Sequence, residues 1–125
     1  MIEESTMIDL QRGDVVMVDY PFGEGIGSKE RPAVIVQCDA DIRRLGTILV
    51  AMVTSKTNLA GREPRHVFID INSADGRGTG LWMNSVVNCT QLAALKKDRF
   101  SKLLGSLPDR LMEAVSNGLR GTLDL

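Results

Sequence analysis

His66 is the only histidine in this 125-residue chain, and that limits the hydrolytic chemistry open to it. A two-histidine acid–base ribonuclease and a histidine-rich metal site are both excluded. No Cys–His or Ser–His–Asp set is available for acyl transfer. His66 lies in an alternating apolar–polar segment and reads as a structural or surface residue. Cys38 and Cys89 have no Cys or His at metal spacing; both fall in apolar runs and are expected to be buried free thiols. Gly25-Ile26-Gly27-Ser28-Lys29 has Ser before Lys and lacks the strand–helix context of a phosphate loop. Gly76-Arg77-Gly78-Thr79-Gly80 reads as a turn. What remains is a set of polar residues at strand ends. Arg31 precedes Pro32 at the mouth of an apolar strand, Thr54 and Ser55 end the third strand, and Gln91 closes the fifth. A rigid sheet can hold such residues for chemistry; equally, Arg31 can be a solvated loop charge and Thr54-Ser55 a turn.

The elements that must carry these residues are mostly strands. Val15–Val18 is a β-branched run that ends at Pro21 and a loop with Gly23, Gly25 and Gly27. Ala33–Val36 follows directly on Pro32, which suits a strand start. Ile48–Val53 is a third run, and Val67, Ile69 and Ile71 alternate with polar or aromatic neighbours. Ser85–Cys89 reads as a fifth strand, and Phe100–Leu107 adds a short one after the polar turn or short helix at Lys96–Arg99. Continuous β-branched runs imply strands covered on both faces. Ser106-Leu107-Pro108-Asp109 fits a helix start with a Ser cap. Leu111, Met112, Val115 and Leu119 then share one helical face, and Gly118 and Gly121 weaken the helix toward its end. The expected fold is mainly β with a C-terminal helix (α+β): an antiparallel barrel or curled sheet. Residues 1–11 read as a loose leader, with Met7 an alternative start, and residues 12–125 as a single domain.

Length and composition agree with one soluble globular domain: 43% hydrophobic and 25% charged residues. Fifteen basic against sixteen acidic residues give a net charge of −1, which excludes a polycationic nucleic-acid coat but not a local basic site. The acidic N-terminus has no signal-peptide core, and no stretch is long enough for a membrane span. The expected location is the cytoplasm.

The order of the segments is more specific than any one of them. Arg12-Gly13-Asp14-Val15-Val16-Met17-Val18 and Tyr20-Pro21-Phe22 lead to Lys29-Glu30-Arg31-Pro32-Ala33-Val34-Ile35-Val36. Ile48–Ser55, His66–Asp70, Ser85–Leu92 and Leu104–Leu107 follow in compatible spacing. From Arg12 to Leu119 the chain resembles the MazF/PemK family of toxins from bacterial toxin–antitoxin pairs. The resemblance implies an SH3-like barrel of the MazF/Kid/CcdB type, usually a homodimer. It implies cofactor-free, metal-independent, sequence-selective cleavage of single-stranded RNA, and neutralisation by a cognate antitoxin. It carries the active-site pair onto Arg31 and Thr54, and RNA contacts onto Ser85 and Gln91. Lys29, Ser55, Lys56 and Arg62 then belong to the loops that flank the RNA.

This chain also departs from the family pattern. Thr90 stands where many members have an acid, Asn88 where some have Arg, and Gly23–Lys29 holds no histidine. Two alternatives follow: a CcdB-like gyrase poison, and a catalytically weak or dead antitoxin-binding homologue. CcdB-type toxins act through a C-terminal Trp, whereas Trp82 lies in mid-chain. The near-zero net charge becomes an expectation of segregation, with Lys29, Arg31, Lys56, Arg62 and Arg65 around the site and Asp39, Asp41, Asp70 and Asp75 elsewhere.

Overall fold

The computed structural model describes residues 2, 3, 7, 9–21 and 28–125. The glycine loop expected after Pro21, with Phe22, lies outside the described residues, as do Met1 and much of the leader. Strands β1 (Asp14–Pro21), β2 (Ser28–Ile35), β3 (Thr47–Thr54), β4 (His66–Ile69), β5 (Ser85–Lys96) and β6 (Phe100–Ser106) form one sheet. Helix α1 (Asp39–Ile42) is a single turn between β2 and β3, and α2 (Asp109–Leu123) ends the chain. The strand order is β4-β5-β3-β2-β1-β6, with every pair antiparallel. This is the expected mainly β fold with a C-terminal helix. The sheet is not closed: among the described residues β4 and β6 are its unpaired edges. No described helix is long and apolar enough to cross a membrane.

Alternation along the strands sorts their side chains into two cores. Val16, Val18, Ala33, Ile35, Ile48, Val50, Met52 and Phe100 fill one face. Ile2 and Leu10, from the segment expected to be a loose leader, are buried in that same cluster. Val15, Val34, Ala51, Val53, Val67, Ile69, Val87 and Cys89 fill the other face, against Val115 and Leu119 of α2. Both faces of the central strands are therefore covered, as their unbroken apolar runs require. Each fully buried Val or Ile contributes about 1.5–3 kcal/mol relative to exposure.

Arg12 ties the layers together. Its backbone N–H donates to Asp39 Oδ1 at 2.7 Å, its Nε to the Val36 carbonyl at 3.1 Å, and its guanidinium to Ser116 Oγ of α2 at 3.1 Å. The glycine turn behaves as expected: Gly80 has φ +76°, and a Cβ there would run into the Leu104 carbonyl of β6.

Three local expectations are corrected. Cys38 is exposed, not buried, because the chain leaves the sheet after β2 and Cys38 flanks α1. Ser106 ends β6 rather than capping α2; Pro108 takes the cap position and no side chain bonds there. Gly118 is a contact residue more than a weak point. A Cβ on it would sit 2.9 Å from Cys89 Sγ and 3.2 Å from Arg65 Cα, so its bare backbone lets α2 lie against β5.

Two outcomes follow. Gly118→Val overpacks that contact and should lower the unfolding free energy by roughly 1–3 kcal/mol. Gly121→Ala, whose Cβ meets only ordinary contact at 3.5 Å, should be neutral or stabilising by up to about 1 kcal/mol. Urea unfolding of both variants checks this, and equal effects would show that helix propensity, not contact, governs Gly118. Second, burial pushes the Cys89 thiol up to about 11, whereas Cys38 is exposed. Thiol titration at pH 8 should find one fast equivalent, lost in Cys38→Ser, and a second only after denaturation.

Candidate functional site

The site begins where β2 and β3 part. Their ladder pairs Ala33, Val34 and Ile35 with Met52, Ala51 and Val50, and stops there. The Val36 N–H donates to the Leu49 carbonyl of β3, so by alternation Pro32 also turns its backbone nitrogen toward β3. Proline has no N–H to give, and the ladder ends. Continuing the register by two residues sets Arg31 across from Thr54. Alternation puts both on the face of Ala33 and Met52, away from α2. On the other flank of β3, Asn88 lies opposite Met52.

These side chains line one cavity of about 340 Å³, with Tyr20, Met52, Val53, Lys56 and Gln91 completing the wall. Arg31 lies inside β2 rather than at its mouth, because residues 28–32 pair with β1, Val18 standing opposite Arg31. Gln91 lies within β5 rather than closing it. The β3–β5 register steps from Leu92 opposite Ala51 to Asn88 opposite Met52. Cys89, Thr90 and Gln91 are thus looped out as a bulge, the device by which a strand re-aims a side chain. The chain then pairs on to Lys96.

The cavity wall is rich in donors. Thr54 Oγ1 accepts the Lys56 backbone N–H at 3.1 Å, which leaves its hydroxyl proton to donate elsewhere. Arg31 and Lys56 bring positive charge. None of the described lining residues carries a carboxylate. Among the described residues, no three His, Cys, Asp or Glu side chains gather as a metal site.

Of the residues singled out in the sequence, Arg31, Thr54, Lys56 and Gln91 come together, and the others do not line the cavity. Lys29 is exposed on β2 beside Tyr20; Ser55 and Arg62 are exposed in the segment between β3 and β4. Ser85 is buried, and its hydroxyl donates to the Met83 carbonyl at 2.8 Å. Arg65 donates to Glu63 at 2.9 Å and holds that carboxyl below its usual range. The expected charge segregation is therefore partial, since Glu63 shares the loop. His66, opposite Asn88 on β4, has Nε2 3.6 Å from Glu63 Oε1 and stays off the cavity wall. Tyr20 was not singled out, and Asn88 was noted only as a departure from the family pattern. Tyr20 is brought in by the β1–β2 register, which no local pattern reveals. Asn88 had one local signal, an Asn two residues before a Thr, the spacing of an Asx turn.

A family profile described as PemK-like, MazF-like toxin of type II toxin-antitoxin system matches residues 11–123. The chain is 37% identical over 118 residues to Endoribonuclease MazF6 of Mycobacterium tuberculosis, covering 93% of this chain and 98% of that one. It is 32% identical over 117 residues to Endoribonuclease MazF of Staphylococcus saprophyticus, covering 93% and 92%. In fold it is similar to an endoribonuclease in complex with its cognate antitoxin from a mycobacterial species, at TM-score 0.72 and 22% identity over 93% and 96% of the chains. MazF of Deinococcus radiodurans superimposes at TM-score 0.71 and 20% identity, over 93% and 97%. With nearly the whole chain matched by the family profile and by relatives above 30% identity, this protein belongs to the PemK-like, MazF-like toxins of type II toxin–antitoxin systems.

Proposed function

We propose that this chain is the toxin of a toxin–antitoxin pair and an endoribonuclease that cuts single-stranded RNA at selected sequences without a metal. One observation carries the site: Arg31 and Thr54 face each other across the parted β2–β3 ladder, in a cavity with Lys56 and no described carboxylate. Metal-free cleavage uses the RNA's own 2′-hydroxyl as nucleophile on the adjacent phosphorus. Negative charge then builds on the phosphorus oxygens. In this reading the Arg31 guanidinium offers paired donors to those oxygens. The Thr54 hydroxyl donates to the same phosphate, and an alcohol is a poor base. Lys56 and Gln91 hold the strand beside the reacting bond. Lys29, Ser55 and Arg62, exposed around the cavity, meet the outlying nucleotides.

The partners follow from the relatives. A mycobacterial endoribonuclease of this fold is in complex with its cognate antitoxin, and this chain is read as binding an antitoxin of its own and acting in the cytoplasm as a homodimer. Residues 12–125 are the functional domain. Membership in this family stands against the CcdB-like alternative.

Purified protein incubated with mixed single-stranded RNA and EDTA should cleave it at few sequences. Arg31→Ala should lower the rate roughly 10²–10³-fold. A silent wild type, or a fully active Arg31→Ala, overturns the nuclease reading; antitoxin binding by a silent wild type would point to the inactive homologue. Affinity for an RNA blocked at the 2′-position should fall steeply with salt. Lys56→Ala should flatten the slope of log affinity against log salt by about 0.7; an unchanged slope removes Lys56 from the phosphate contacts.

A further inference from the structure

We propose that Asn88 is a further donor to the RNA phosphate in the cavity, and that Thr90 is the positioning residue that aims it. The proposal rests on the reading of the site as RNA-cleaving. Asn88 Oδ1 accepts the Thr90 backbone N–H at 3.0 Å and the Thr90 hydroxyl as well. A backbone N–H can only donate, so the end of the carboxamide that faces Thr90 is the oxygen. Both lone-pair directions of that oxygen are then taken. The Nδ2 end, with two N–H donors and no acceptor, is what Asn88 has left to offer the cavity it lines.

The support behind this pair is rigid. The Cys89 N–H donates to the Arg65 carbonyl at 2.8 Å, and the Thr122 hydroxyl of α2 donates to the Cys89 carbonyl at 2.9 Å. Both backbone groups of the residue between Asn88 and Thr90 are therefore fixed, one by the β4 side and one by α2.

The ligand class follows from the donors that Arg31, Thr54, Lys56 and Asn88 bring to the wall. Thr54 accepts one bond and keeps its proton to donate, the Lys56 side chain has only donors, and Asn88 keeps its Nδ2 donors while Thr90 engages its carbonyl. Such a wall matches a group that only accepts and carries negative charge: a non-bridging phosphate oxygen. Asn88 is a neutral amide. It adds a fixed donor without adding charge, and needs no carboxylate to orient it because Thr90 does so.

The test compares kcat and KM on RNAs of several sequences, with melting temperatures, for wild type, Arg31→Ala, Asn88→Ala, Asn88→Asp, Thr90→Val and Thr90→Ser. Asn88→Ala should lower kcat/KM roughly 10- to 100-fold, by a similar factor on every sequence. Asn88→Asp should lower it further, since a carboxylate then faces the phosphate. Thr90→Val should reproduce much of the Asn88→Ala loss at an unchanged melting temperature, and Thr90→Ser, which keeps the hydroxyl, should rescue it. Asn88→Ala within about twofold of an active wild type, while Arg31→Ala is silent, overturns the Asn88 contact and leaves the site reading intact. A loss confined to one RNA sequence moves the contact to a base carbonyl and overturns the phosphate assignment. A fully active Thr90→Val overturns the positioning role. A wild type that cuts no RNA overturns the functional reading, and this inference with it.

Discussion

A single missing hydrogen-bond donor shapes the centre of this protein. Pro32 turns its nitrogen toward β3 and has no proton to give, so the β2–β3 ladder stops after Ala33. The strands part while each stays paired on its other flank, β2 to β1 and β3 to β5. A gap opened this way is narrow and rigid. Arg31 and Thr54 stand on its two sides, Arg31 held by the β1–β2 ladder and Thr54 by its pairing with Val86 beyond the β5 bulge. A loop carrying the same pair would have to order itself at each encounter with a ligand; this sheet is ordered beforehand.

The rest of the fold serves that frame. Two cores, one on each face, hold the central strands from both sides. Helix α2 closes the face opposite the cavity and reaches β5 at the bulge, where Gly118 meets Cys89. The same bulge faces the cavity through Asn88 and Gln91. Packing on one face and polar placement on the other thus meet in three residues of β5. The buried Cys89 thiol, raised by desolvation, belongs to that packing and not to chemistry.

The cavity wall explains how a chain of net charge −1 accommodates a polyanion. Local donors matter here more than the sum of charges. Arg31 and Lys56 supply charge, while Thr54 supplies a hydroxyl donor and Asn88 an amide donor whose carbonyl is already engaged by Thr90. Elsewhere acids are engaged by neighbouring groups: Asp41 by Arg44 and Glu63 by Arg65, whose hydrogen bonds hold both carboxyls below their usual range. The cavity wall, by contrast, brings Arg31 and Lys56 together with no carboxylate among its described residues.

Much of this was legible in the residues alone. Unbroken apolar runs, rich in Val and Ile, at Val15–Val18, Ile48–Val53 and Val86–Val87 determine strands buried on both faces, because only a covered sheet removes so much apolar surface from water. The spacing of Leu111, Val115 and Leu119 determines a packed final helix. Arg31-Pro32 and Thr54 are visible as a pattern, since a charge beside a proline and a hydroxyl at a strand end are unusual neighbours of such runs. What the sequence alone could not decide depends on register, which couples residues far apart in the chain. Only pairing shows that Arg31 lies inside β2 and that Gln91 belongs to a bulge. Only pairing brings Tyr20 and Asn88 to the cavity. A one-residue slip in a strand reverses the face of every side chain, so local pattern determines which residues form the sheet, and tertiary structure decides which of them meet.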